Sequence, residues 1–112
     1  MSANTQTLTK EDLSQSDLRL IEIMSRVHYG TIDSFPVQNG QPMLDPEPEI
    51  ELCEKIGMEI GQKPSIWNGK YLHPRFSDAI RLIRGMHNGR VTRIEIQEGL
   101  PFKIAKRPGS CR

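Results

Sequence analysis

Apolar residues along this chain follow a helical period, switch to alternation, and then do both again. Leu18, Ile21 and Met24, with Leu20, Ile23 and Val27 beside them, form a helical apolar stripe that predicts a helix over 14–28. Ser14 or Ser16 can cap its start, Asp17 suits its first turn, and Gly30 can end it in a left-handed conformation. Ile32, Phe35 and Val37 then alternate with polar positions as a strand does, although Pro36 fits an edge or a bulge better than a central ladder. Asn39-Gly40 is a type I′ hairpin signal, and a return strand over 41–44 stops at Asp45-Pro46-Glu47-Pro48. Further on, Ser77 caps a helix running through Arg84 with Ile80, Leu82 and Ile83 apolar, closed by Gly85 or Gly89. Arg90–Gln97 alternates cleanly, Glu98-Gly99 turns, and Leu100–Ala105 returns.

The two passages align without a gap at an offset of 59 residues, so that 20–44 falls on 79–103. His28 lands on His87, Gly30 on Gly89, Gln38 on Gln97, Gly40 on Gly99 and Pro42 on Pro101. Returning glycines and prolines are a match of backbone shape, which marks an internal repeat. The expectation is a single α+β domain of two helix–strand–strand repeats, whose strands form one antiparallel sheet with the helices packed on one face. Its parts would be a disordered tail at 1–12, a first repeat at 14–44, a connecting segment at 45–76, a second repeat at 77–106 and a tail at 107–112. Within the connection, residues 47–60 fit both a helix and period two, and the helix, entered near Pro48, is the reading adopted. Asn68-Gly69 predicts a second turn, in a small hairpin or loop, flanked by Ile66-Trp67 and Tyr71-Leu72.

Composition fits a small soluble globular domain: 112 residues, 36% hydrophobic and 26% charged. No apolar run approaches the roughly 20 residues that cross a bilayer, and 1–10 lacks a signal-peptide core, so no membrane partner and a cytoplasmic location are expected. Cys53 and Cys111 do not make a disulfide framework. The net charge of +1 conceals a split: residues 1–62 carry four basic and eleven acidic side chains, −7, whereas 63–112 carry eleven basic and three acidic, +8. Such a dipolar body can attract a polyanion or pair head to tail with another copy.

The repeat unit resembles the small bacterial YezD-like proteins, through Tyr29-Gly30-Thr31-Ile32 to Asn39-Gly40 and through Asn88-Gly89-Arg90-Val91 to Glu98-Gly99 and Ile104. The resemblance covers about half the chain and implies a helix followed by a hairpin. It implies no activity, because the function of that family is itself unknown.

Enzymatic chemistry has little support here. The chain has no Gly-x-Ser-x-Gly, P-loop, Cys-x-x-Cys or His-Glu-x-x-His motif, and neither a metal nor a cofactor is expected. His28 and His87 could meet and bind a metal or phosphate, or simply serve as helix C-terminal residues that favour the dipole. The acidic run Asp45, Glu47, Glu49, Glu51, Glu54 and Glu59 matches no calcium loop and reads as a solvated face. The basic set carries more. Arg84, Arg90 and Arg93 lie where the second helix hands over to its strand; Lys70 and Arg75 flank Trp67, Tyr71 and Phe76; Lys103 and Lys106 follow on the return strand. Cations interleaved with aromatics can hold phosphates while a ring stacks on a base. The leading expectation is a non-enzymatic protein that contacts nucleic acid or another polyanion through Arg84, Arg90, Arg93, Lys70, Arg75, Trp67, Lys103 and Lys106. The alternative is a protein–protein adaptor or regulator, or a homodimer, acting through strand edges or the dipolar surface.

Overall fold

A computed structural model describes residues 7–54, 56–57 and 64–108. Two helices, α1 (Gln15–Ser25) and α2 (Pro74–Met86), pack against an antiparallel sheet, giving the α+β class. The strands are β1 (Gly30–Ile32), β2 (Phe35–Gln38), β3 (Gln41–Pro42), β4 (Ile50–Leu52), β7 (Gly89–Gln97) and β8 (Leu100–Pro108), with β5 (Trp67–Asn68) and β6 (Tyr71–Leu72) forming a separate hairpin. β7 is long enough to hold both β1 and β2 end to end along one side and β8 along the other. β3 pairs outside β2 and β4 outside β1, so the six strands make four rows.

The central pairing is reciprocal at the 59-residue offset. Gly30 faces Ile96 and Gly89 faces Val37; Ile32 faces Ile94 and Val91 faces Phe35. Asn39 and Gly40 have φ of +52° and +73°, and Glu98 and Gly99 have +56° and +77°. The amide of Gly40 donates to the His87 carbonyl (2.7 Å), and that of Gly99 to the His28 carbonyl (2.9 Å). Inward positions of the sheet, Ile32, Phe35, Val37, Val91, Ile94 and Ile96, meet Leu20, Ile23, Met24, Phe76, Ile80 and Ile83 of the helices in one core.

Several expectations from the sequence shift. α1 ends at Ser25, short of Gly30, which instead starts β1 where a Cβ would overlap the Glu51 carbonyl oxygen of β4. α2 begins at Pro74, capped by His73, whose Nδ1 accepts from the Arg75 amide (3.1 Å). Ser77 is buried one turn inside and its Oγ accepts the Leu8 amide (2.7 Å). The segment 7–12 is therefore no free tail: Leu8 is in the core and Thr9 bridges to Tyr71. The helix expected over 47–60 is replaced at 50–52 by β4, because the period-two reading lets Ile50 pair with Ile32; residues 55 and 58–60 lie outside the described part. β3 stops at Pro42: the Pro36 carbonyl accepts from Met43 (2.8 Å), but Pro36 has no N–H to return and the ladder ends. The β5–β6 turn is centred on Gly69-Lys70 rather than Asn68-Gly69, with Gly69 at φ +63° in the first central position that a type II′ turn reserves for glycine. β8 runs to Pro108, so 107–108 are strand and not tail.

Gly30 and Gly85 give opposite forecasts. Gly30→Ala must push β4 away and should cost about 1–3 kcal/mol. Gly85 sits inside α2 with open space around it, so Gly85→Ala should gain about 0.5–1 kcal/mol. Urea unfolding of the two variants against the parent checks both signs.

Candidate nucleic-acid interface

The basic residues singled out from the sequence separate into three environments. Arg84 turns inward. Its guanidinium pairs with Asp17 Oδ2 (2.9 Å) and donates to the Asp12 carbonyl, which ties α2 to the N-terminus of α1. Asp17 is fully buried, its Oδ2 also accepts the Ser14 amide (3.1 Å), and its Oδ1 has no partner. Arg84 thus serves the fold, a role its place on a polar helix position did not suggest.

Trp67, Lys70 and Arg75 belong to the end of the molecule where α2 begins. Trp67 packs against the core and carries the Lys10 ammonium 5.1 Å from its ring centre. The Lys70 ammonium lies 5.5 Å from the Tyr71 ring, and Arg75 donates to the Pro101 carbonyl (3.2 Å). Phe76 is buried in the core and offers no stacking face. Lys63 lies outside the described residues. With Thr7, Ser65 and Pro74, the Trp67 and Tyr71 rings line a shallow cleft beside His73. Burial there pushes His73 below its ordinary 6.5, and the nearby Arg75 charge adds to the effect.

Arg90, Arg93, Lys103 and Lys106 lie on the β7–β8 hairpin. Arg90 stands directly opposite Arg107, Arg93 opposite Ala105, and Lys103 opposite Glu95. A register shift between Val91 and Arg93 adds one residue to β7, so that Arg90 and Arg93, three apart, both fall on the sheet face away from the helices with Lys103 and Arg107, whereas Lys106, opposite the buried Val91, is on the other side. Arg90 Nη1 donates to Ser34 Oγ (3.0 Å). Among the described residues none of these four is in an ion pair, and Arg107, which the sequence reading placed in a tail, joins them through β8. The Arg90–Arg107 pair and the Trp67 hairpin sit at opposite ends of β7, on the order of 20 Å apart at about 3.3 Å per strand residue, so the expected stacking ring does not reach that pair.

Acidic groups occupy the far rows of the same face. Asp33, Glu49 and Glu51 line a depression with Thr31, Thr92 and Arg93. Glu47 folds over α1 instead, where the Arg19 hydrogen bond (3.1 Å) and the nearby Arg26 hold its carboxyl below the usual range. No cluster of His, Cys, Asp or Glu able to hold a metal occurs among the described residues. His28 and His87 do not meet: each carbonyl caps a different hairpin turn at opposite ends of the sheet, and the His28 ring stacks on Tyr29 at 5.0 Å. No described helix is long and apolar enough to cross a membrane. No protein-family model, curated protein or solved structure matches the chain.

Removing the Arg84 guanidinium leaves a buried, uncompensated carboxylate. Arg84→Met should cost about 3–5 kcal/mol, and the double change Asp17→Leu, Arg84→Met should recover most of it in a denaturant titration. His73 supplies a pH dependence. Because its native pKa lies below the unfolded value, the unfolded chain binds the proton more readily. Stability is therefore full above the unfolded pKa and falls as pH drops through the lowered native one. His73→Asn keeps a capping acceptor without the titration, so unfolding midpoints of the variant should lose less on acidification than those of the parent.

Proposed function

We propose that the protein binds nucleic acid through the phosphate backbone, using the open face of the β7–β8 hairpin. The observation that carries this reading is Arg90 directly opposite Arg107, two arginines paired across β7 and β8 on one face with Arg93 and Lys103 farther along it. Like charges directly opposite in a sheet destabilise it, so the arrangement is costly to the free protein and becomes favourable once phosphates lie between the cations. Guanidinium groups suit this role because their planar fork binds phosphate oxygens two at a time. The face carries no aromatic ring on β7, which favours contact with phosphates over base stacking. Binding should accordingly be indifferent to sequence and steeply dependent on salt.

Arg90, Arg93, Lys103 and Arg107 together set the expected salt response. For four phosphate contacts, the logarithm of the association constant for a short random-sequence DNA duplex should fall against log salt with a slope of about −3 to −4. Reversal of Arg90 and Arg107 to Glu should remove about two units of that slope and most of the affinity. Lys70→Glu, on the distant hairpin, should leave both nearly unchanged. Absence of duplex binding at low salt, or equal loss from Lys70→Glu, refutes the reading.

A further inference from the structure

The charge split of the chain becomes, in the fold, a difference between the two edges of one sheet. The outer row that holds β3 and β4 carries Asp45, Glu49, Glu51 and Glu54 between residues 45 and 54, with no basic side chain, while Glu47 from the same stretch is spent on α1. The opposite outer row is β8, with Lys103, Lys106 and Arg107 and no acidic side chain. Among the described residues β4 pairs only with β1 and β8 only with β7, so each leaves one side of its backbone unpaired. Natural proteins blunt exposed edges with charge, and like charge on both edges would keep copies apart. Opposite charge does the reverse.

From these edges we infer that a second copy of this chain occupies β8: copies associate head to tail, β4 of one adding to β8 of the next. Four rows alternate in direction, so β4 and β8 run antiparallel to each other, and a neighbour in the same orientation presents β4 antiparallel to β8 with its helices on the same face. The hydrogen-bonding pattern agrees. Glu49 and Cys53 spend their backbone groups on β1, through the Asp33 amide to the Glu49 carbonyl (2.8 Å) and the Cys53 amide to the Tyr29 carbonyl (2.8 Å). Alternation then directs the N–H and C=O of Ile50 and Leu52 to the outer side. The same alternation, carried through the Thr31–Glu51, Ile32–Ile94 and Glu95–Lys103 pairs, directs those of Ile104 outward from β8.

Cross-sheet rows give the register. Lys103, Glu95, Thr31 and Glu51 form one row, and Ile104, Ile94, Ile32 and Ile50 the next. Continued into a neighbour about 19 Å away, at four strand spacings and with the twist of the sheet, these rows set Glu51 beside Lys103. They also set Ile50 opposite Ile104, where both can exchange backbone bonds. Leu52, 63% exposed, then reaches the groove between α2 and β8 where Leu82 (43%) and Phe102 (54%) are uncovered. Charge, backbone and apolar surface therefore match in one register. Pairing of β8 with itself would instead bring Lys103, Lys106 and Arg107 against their own copies.

Light scattering on the eluting protein over a concentration series, without nucleic acid, tests this apart from the polyanion reading. The parent should gain mass with concentration and lose it with added salt. A Lys103→Glu, Lys106→Glu variant has two acidic edges and a Glu49→Lys, Glu51→Lys variant two basic ones, so each alone should stay monomeric. Their equimolar mixture should associate again, each variant supplying the edge the other lacks. Circular dichroism of each variant establishes that it is folded. A parent that is monomeric throughout overturns the inference, as does association that survives in both variants or a mixture that fails to associate. Association lost in the first variant alone would assign β8 to self-pairing and overturn it as well.

Discussion

The close pairing of β7 with both β1 and β2 is the constraint on which the rest depends. One nine-residue strand holds the two halves of the chain together, and it does so with buried Ile94, Ile96 and Val91 against Ile32, Phe35 and Val37. Those side chains all lie on the face the helices cover, so the ladder and the core are one construction. If the register slipped by one residue, Arg93 and Glu95 would face α1 and α2, and the isoleucines would face water. β4 and β8 are positioned only because this central register is set.

Gly30 shows how tight the construction is. The Glu51 backbone approaches where any side chain would stand, and β4 can join β1 only because nothing is there. The helices are held by a different force. A fully buried Asp17 and a partly exposed Arg84 form an ion pair between α1 and α2, flanked by Ser14 and by the Asp12 carbonyl. Such a pair adds little net stability relative to apolar residues of similar size, since Asp17 loses its water entirely and Arg84 much of it. Its value is in direction: a guanidinium and a carboxylate that must meet fix how one helix end sits against the other.

With the interior settled, the remaining charges separate by row and by face. Cations accumulate on the open side of β7 and β8, and carboxylates around β4 and the loop before it. A basic corner on the open face and two edges of opposite sign are both products of that separation, and Lys103 belongs to both. The first is a matter of side chains on the open face. The second rests on backbone groups, the groove beside α2 and the charge of Lys103, so the proposed polyanion contact and the inferred addition of a second copy meet at that side chain.

Local chemistry made much of this legible in the sequence. Alternation at Ile94 and Ile96 and glycine at positions 40 and 99 were enough to place both main hairpins, because side-chain period and positive φ are properties of a few neighbouring residues, whereas the irregularity between Val91 and Arg93 that interrupts the alternation of β7 was not legible. The helix–hairpin order and the α+β class followed from the same signals. Placement across the molecule did not. Nothing near Arg84 announces that it will meet Asp17, 67 residues away, and nothing near Ile50 announces Ile32 as its partner. Leu8 reads as part of a polar tail until β6 and Ser77 receive its backbone. Arg107 reads as a tail residue until β8 extends to set it opposite Arg90. The amino-acid sequence by itself determined the two helices and the main hairpins, though not β4, and how much charge each half carries. Only the tertiary structure decided which cations are spent inside the fold and which share a face, because long-range pairing, not local composition, sets what each side chain meets.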